Sequence, residues 1–391
     1  MQVAILFKGD SNDQKGYFNS VKNRIKHLSQ IADFELAVYL IQVYEPFIVR
    51  LLRGTKKQKK VDSFYIDEIK YTNLWIPFSL IDYVLKVKLN FKELFSQVFY
   101  KRLAPNFSNF DLILAHSLEC GMVASSAHRL YKIPYFVTWH GCDINNEPFI
   151  NKYTKAQTVK ILNEAAKNYF VSKALLEVSD RLMKSDSKAV LYNGVSNEFK
   201  IYPVDKKNSL RLKYNVQDKK VVAFIGGLVI EKNVLVLPQI FKNISSVNDV
   251  TFWVIGDGKY RKELENECNS RKLDVRFFGN QPPSEIPDLL NCIDVLILTS
   301  LREGLPLVVV EALACGCRVF ASRVGGIHEA IGIENTFELN NDFENKISKA
   351  IVESFSKDSG NHQILDTSKF SWKASAKIEL HEINNFLKKI R

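Results

Sequence analysis

Short apolar runs alternate along this chain with longer stretches of helical periodicity. In the first half the runs fall at 3–7, 35–41, 111–116, 135–139, 169–172 and 189–192. In the second half they fall at 221–225, 252–255, 275–278, 295–299 and 318–321. Apolar runs this short, with amphipathic stretches between them, predict parallel strands covered on both faces by helices. Residues 197–215 interrupt the rhythm. They are polar, rich in lysine and contain Pro203, and they read as a linker between two domains. The pattern predicts an α/β chain with two Rossmann-like domains, 1–200 and 201–370, facing a central cleft. Residues 371–391 follow with Ile378, Leu380, Ile383, Phe386, Leu387 and Ile390 at helical spacing. On spacing alone this helix packs on either domain.

The chain has 391 residues, 46% of them hydrophobic, enough to fill two cores. No apolar run approaches the roughly 18–20 residues of a membrane span. The first ten residues suit a β-strand better than a signal peptide. The six cysteines have no paired spacing, which predicts buried free thiols in a reducing cytoplasm and no zinc site. The net charge of +11 suits a nucleic acid, an anionic membrane surface or an anionic small substrate. No RRM, helix-turn-helix or zinc-finger pattern accompanies it, so nucleic acid is not an expected partner.

Candidate chemistry concentrates in Ser300-Leu-Arg-Glu-Gly-Leu-Pro-Leu-Val-Val-Val-Glu-Ala-Leu-Ala-Cys-Gly316. Pro306 suits a first helical position and Gly316 a helix end. Glu303 then lies on the loop after a strand and Glu311 inside an apolar helix. A carboxylate there is costly unless it is paired or hydrogen-bonded. A lysine partner is one solution. A polyhydroxyl ligand with its anion at the helix N-terminus is another.

This segment resembles the Glu-x7-Glu motif of the retaining glycosyltransferases of family 4, which have the GT-B fold. Leu191-Tyr-Asn-Gly-Val195, Val254-Ile-Gly-Asp-Gly-Lys259, Phe277-Phe-Gly-Asn280, Val324-Gly-Gly-Ile-His-Glu329 and Phe370-Ser-Trp372 occur in that family's order. The resemblance implies transfer of a sugar, with retention, from a nucleotide-diphosphate sugar to a glycan or lipid-linked saccharide, in cell-surface polysaccharide synthesis. It also implies that the helix 371–391 returns to the first, acceptor-binding domain, and that the second domain binds the donor.

Residue by residue, the resemblance gives Glu303 to the donor sugar and the backbone of Leu307 and Val308 to the phosphate or sugar hydroxyls. It gives Glu311 to the ribose diol, and Phe278 and Gly279 to the base. Gly226 and Gly227 lie in Phe224-Ile-Gly-Gly-Leu-Val-Ile-Glu-Lys-Asn233, where Lys232 would meet the diphosphate. The family's arginine is missing here, its place being Gly227, and Arg302 and Arg323 are candidate substitutes. In the first domain, Val137-Thr-Trp-His-Gly-Cys-Asp143 resembles the family's His-Gly-x-Asp segment. Glu303, His140 and Lys232 are the candidate catalytic residues. Asp143 and His116 are acceptor-side candidates, and Gly16, closing the loop 9–16, is a candidate for close approach of the diphosphate. No Asp-x-Asp motif is present, so neither a metal nor another cofactor is expected.

Residues 83–102 read as a basic amphipathic helix, and lysines cluster at 56–60. Both suit a core-packing element with a solvated face, or a cytoplasmic enzyme peripheral on the inner face of an anionic membrane. Two other functions stay open: a non-catalytic nucleotide-sugar-binding subunit, favoured by Gly227, and a nucleotide-sugar epimerase of the same fold.

Overall fold

The computed structural model describes residues 1–9, 16–55, 60–89, 91, 98–247, 249–356, 366 and 368–390. Two compact units divide the chain: Met1–Leu191 with Ser375–Arg391, and Tyr192–Ala374.

The first unit is built on an eight-stranded sheet of β1 (Gln2–Lys8), β2 (Glu35–Tyr44), β3 (Ser63–Ile66), β4 (Ile69–Pro77), β5 (Leu112–His116), β6 (Tyr135–Trp139), β7 (Lys167–Phe170) and β8 (Lys188–Val190). Its spatial order is β3-β4-β2-β1-β5-β6-β7-β8, parallel except for the β3–β4 hairpin. Strands β1, β5 and β6 are buried almost throughout, as their unbroken apolar runs require. Helices α1 (Gly16–Ser29), α2 (Phe47–Arg53), α3 (Leu80–Tyr83) and α4 (Leu118–Tyr131) belong to this unit. Phe18, Val21, Ile25 and Leu28 of α1 pack on β1 and β2. The hairpin is absent from the sequence pattern. Its two turn residues, Asp67 and Glu68, have φ of 49° and 66° without any glycine to announce them.

The second unit holds six parallel strands: β9 (Lys220–Ile225), β10 (Val250–Ile255), β11 (Val275–Gly279), β12 (Val295–Leu298), β13 (Arg318–Ser322) and β14 (Thr336–Phe337). Their order is β11-β10-β9-β12-β13-β14. Each sheet reverses its winding at one point, between β1 and β5 in the first unit and between β9 and β12 in the second. Ligands bind at such points, beyond the carboxyl ends of the strands.

The segment 197–215 is not a linker. The chain passes to the second unit after Leu191, and 204–213 form helix α5 (Val204–Lys213), which packs on α6 (Ile286–Cys292). Asn291 holds the approach to α5, accepting from the Tyr202 amide at 2.8 Å and donating to the Lys200 carbonyl at 3.0 Å. The lysines on α5 are its solvated face, and composition alone does not separate such a face from a linker. Helix α7 is Leu307–Ala314, and the last helix, α8 (Trp372–Ile390), belongs to the first unit from Ser375 onward. There Ile383 and Leu387 enter the same core as α1.

The amphipathic segment at 83–102 is not one continuous α-helix. Ser79 and Asp82 cap α3 reciprocally, and the chain then widens into a π-helical turn over Val84–Lys88. Residues 90 and 92–97, like 56–59 of the lysine cluster and 10–15 of the loop before α1, lie outside the described residues. Five of the six cysteines are buried, and Cys142 is exposed.

Candidate active site

The switch point of the second unit brings Lys232 and Glu303 together. Gly226 and Gly227 follow β9, and a short helical turn over Ile230–Lys232 then places Lys232. Lys232 Nζ meets Glu303 Oε1 at 2.5 Å, and Ser300 Oγ donates to the same oxygen at 2.6 Å. The Thr299 hydroxyl ties the two loops, donating to the Lys232 carbonyl at 2.8 Å. On sequence alone Ser300 and Thr299 have no assigned role, because neither side chain has a motif of its own.

Glycines let three loops interlock here. A Cβ on Gly256 would stand 2.0 Å from the Gly226 carbonyl oxygen, and one on Gly325 2.2 Å from the Glu303 carbonyl oxygen. Gly325 also has φ of 53°, which favours glycine. Gly227 is different. It is exposed, and a Cβ there would find nothing nearer than Val229 at 3.9 Å. Space does not explain the missing arginine. Of the two candidate substitutes, Arg323 is committed elsewhere, donating to Thr336 and pairing with Glu338 at 3.2 Å. Arg302 is exposed beside Glu303, with no ion pair among the described residues.

Pro306 is the N-cap of α7 rather than its first residue, so Leu307 and Val308 hold the first two helical positions. Their amides lack intrahelical acceptors, as at any helix start. Glu311 lies one turn further on. Its side chain has no hydrogen bond or ion pair among the described residues, although part of its surface stays open. Burial pushes its carboxyl up to about 8, and the Glu198 charge adds to the shift. The lysine partner allowed by the sequence is absent among the described residues. Gly279 has φ of 67° at the end of β11, and the Phe278 ring packs on Trp253 at 4.8 Å. The Phe278 carbonyl already accepts from Gln281 at 2.7 Å.

In the first unit the structure joins His116, His140 and Asp143. His116 Nδ1 lies 3.1 Å from His140 Nε2, so one ring must donate and the other accept. Burial pushes the His140 pKa down to about 3 and that of His116 well below its usual range, with the buried Arg24 charge adding to both. Both rings are therefore neutral at pH 7. Asp143 accepts from the amides of His140 at 3.2 Å and Gly141 at 2.8 Å, holding its own loop in shape. Burial raises it to about 6, against those amide bonds. Tyr17 stands edge-on to His140 at 4.9 Å and donates to the His116 carbonyl at 2.9 Å. Lys8, at the end of β1, pairs with Glu119 at 2.7 Å across the switch point. Tyr17, Lys8 and Glu119 were missed, and only the position of Lys8 at a strand end signalled it. Gly16 opens α1, exposed, and a Cβ on it would meet nothing within 4 Å. Among the described residues, no group of three or more His, Cys, Asp and Glu side chains is placed to hold a metal ion.

The second unit thus carries a lysine, two carboxylates and a helix N-terminus at the switch point of a doubly wound sheet, the place where sheets of this class take ligands. Residues 206–362 match the family model described as glycosyl transferases group 1. The chain is 29% identical over 276 residues to an uncharacterized glycosyltransferase of Methanocaldococcus jannaschii, a match covering 67% of this chain and 72% of that one. It is 27% identical over 236 residues to the UDP-Gal:alpha-D-GlcNAc-diphosphoundecaprenol alpha-1,3-galactosyltransferase of Escherichia coli, covering 56% of this chain and 59% of that one. Among solved structures, Anabaena HepE in complex with UDP and glucose superposes with a TM-score of 0.68 at 19% identity, covering 100% of this chain and 98% of the other. That likeness shows the fold, the GT-B fold of glycosyltransferases.

Proposed function

We propose that this protein transfers a sugar from a uridine-diphosphate sugar, with retention and without a metal ion, to a glycan or lipid-linked saccharide. The assembly of a cell-surface polysaccharide on the cytoplasmic face of a membrane is its setting. Glu311 is the observation that carries the reading. A carboxyl with no partner among the described residues and a raised pKa, one turn into a helix at a switch point, is suited to a diol that donates two hydrogen bonds. Uridine is favoured because relatives of this fold and sequence are named for UDP and UDP-galactose.

The second unit serves the donor. The Lys232 ammonium and the free amides of Leu307 and Val308 balance charge growing on the departing diphosphate. Lys232 is shared with Glu303 before donor binds, and a diphosphate competes for it. Glu303, released from part of that contact, accepts from sugar hydroxyls. The first unit serves the acceptor, with neutral His140 able to donate or accept one hydrogen bond. In a front-side displacement the bond from the anomeric carbon to the phosphate oxygen breaks while the acceptor oxygen bonds to the same face. The acceptor's proton passes to the leaving phosphate.

The test is a panel of UDP-, GDP- and ADP-sugars titrated in EDTA while thermal stability is followed. A ligand of the folded state raises the melting temperature. The expected result is a rise with UDP-sugars alone, abolished in Glu311→Ala. No rise with any donor would sink the reading. A rise without turnover on any acceptor would favour the non-catalytic subunit, which Gly227 supports. Free UDP released without an acceptor would indicate the epimerase.

A further inference from the structure

Helix α2 reads Phe-Ile-Val-Arg-Leu-Leu-Arg, and only Val49 turns inward. Phe47, Ile48, Leu51 and Leu52 are 69, 59, 72 and 53% exposed. Four large apolar side chains on two turns of helix are a patch rather than scattered surface residues. The patch continues onto the next helical segment, where Ile81 is 70% and Val87 49% exposed. Phe78 joins the two, with the Arg53 guanidinium 5.5 Å and the Lys86 ammonium 5.8 Å from its ring centroid.

The charges of this face identify what covers it. Helix α2 carries Arg50 and Arg53 and no acid, and the π-helical turn carries Lys86 and Lys88 and no acid. Glu45 and Asp82 are the acids paired here, with Arg53 and Arg102. Lys60 leans over the Tyr44 ring at 3.8 Å, its ammonium next to the same region. Apolar side chains projecting beyond a collar of long cationic ones match the acyl and headgroup layers of an anionic bilayer. A protein groove would need to be both apolar and acidic.

We infer that α2 and the segment 80–88 form a membrane-docking face, which seats the first unit on an anionic lipid surface with Phe47, Ile48, Leu51 and Leu52 among the acyl chains. This deepens the proposed use of a lipid-linked acceptor and rests on that reading for its purpose. Its physical basis is independent of the donor site.

The test is sedimentation of the full chain with vesicles of phosphatidylglycerol and phosphatidylcholine, against vesicles of phosphatidylcholine alone. Wild type is expected to bind the anionic vesicles at least about tenfold more tightly, and to be released by salt. Ile48→Ser with Leu51→Ser is expected to lower vesicle binding about tenfold or more, and Lys86→Gln with Lys88→Gln to remove the preference for anionic lipid. The thermal shift with UDP-sugar checks that each variant is folded and still binds donor. Wild type left in the supernatant, or Ile48→Ser/Leu51→Ser binding unchanged, would overturn the inference. So would a wild-type dimer in lipid-free solution that this variant turns into a monomer, since the patch would then be a self-association surface. Failure of vesicle binding with intact donor binding removes the docking face alone. Vesicle binding without donor binding removes the transferase reading alone.

Discussion

At the scale of single residues, Glu311 is costly to the free protein. Its carboxyl titrates near 8 when folded, against about 4.5 in an unfolded chain. A group raised in this way contributes its full stability below the unfolded value and loses it as pH rises towards the folded one. The second unit should therefore lose stability between about pH 4.5 and 8. Glu311→Gln should match wild type near pH 4 and melt higher than wild type at pH 8.5, while failing to bind donor. A melting curve that shifts alike with pH in both proteins would refute this. Wild type should also bind UDP-sugar more tightly as pH rises towards 8, because the diol prefers the charged carboxylate. The two glutamates were legible in the sequence from the helix start between them. Lys232 was legible from a glycine turn, but its contact with Glu303 joins positions 71 residues apart, and no local pattern encodes that.

At the scale of elements, the proposed donor site is a set of loops held by backbone contact. Gly325→Ala brings a methyl group against the Glu303 carbonyl oxygen, at a backbone angle that alanine resists. The loop carrying Glu303 must move. UDP-sugar affinity is expected to fall about tenfold, or ~1.4 kcal/mol, with only a modest loss of melting temperature. Gly227→Arg is the contrasting case, since the space around it is open, and it is expected to fold normally and to bind donor more tightly. Calorimetric titration of both variants checks the pair, and equal affinities would sink the account. Most strands were legible because buried parallel strands are short unbroken apolar runs. The β3–β4 hairpin was not, since Asp67 and Glu68 turn the chain where glycine or asparagine is usual. The α5 lysines gave the opposite error, a solvated helix face mistaken for a linker.

At the scale of the whole molecule, one buried ion pair fastens the last helix to the first. Arg24 on α1 and Glu379 on α8 are both about 2% exposed, 3.7 Å apart, too far for a hydrogen bond. Among the described residues, Arg24 Nε and Nη1, Glu379 Oε2 and the Tyr169 hydroxyl have no hydrogen-bond partner, so the pair rests on charge rather than on a hydrogen bond. Glu379→Leu leaves a buried guanidinium alone and should cost roughly 3–5 kcal/mol, a large part of an ordinary domain's stability. Arg24→Met combined with Glu379→Leu should cost less than the single change. Denaturant unfolding of both variants checks the order, and the reverse order would show that the pair is not what fastens α8. Neither residue stood out in the sequence, where one charge among several on each helix looks like any surface position.

The return of α8 to the first unit also sets an order of events at the ribosome. Everything from Tyr192 to Ala374 is synthesised before Ile383 and Leu387 exist to close the first unit's core. The earlier-made half of the chain must therefore wait, partly open, while the later-made half completes itself. Nascent chains usually fold in the direction of their synthesis. Here the second unit can finish first, and the first unit's core stays open on one side until α8 emerges.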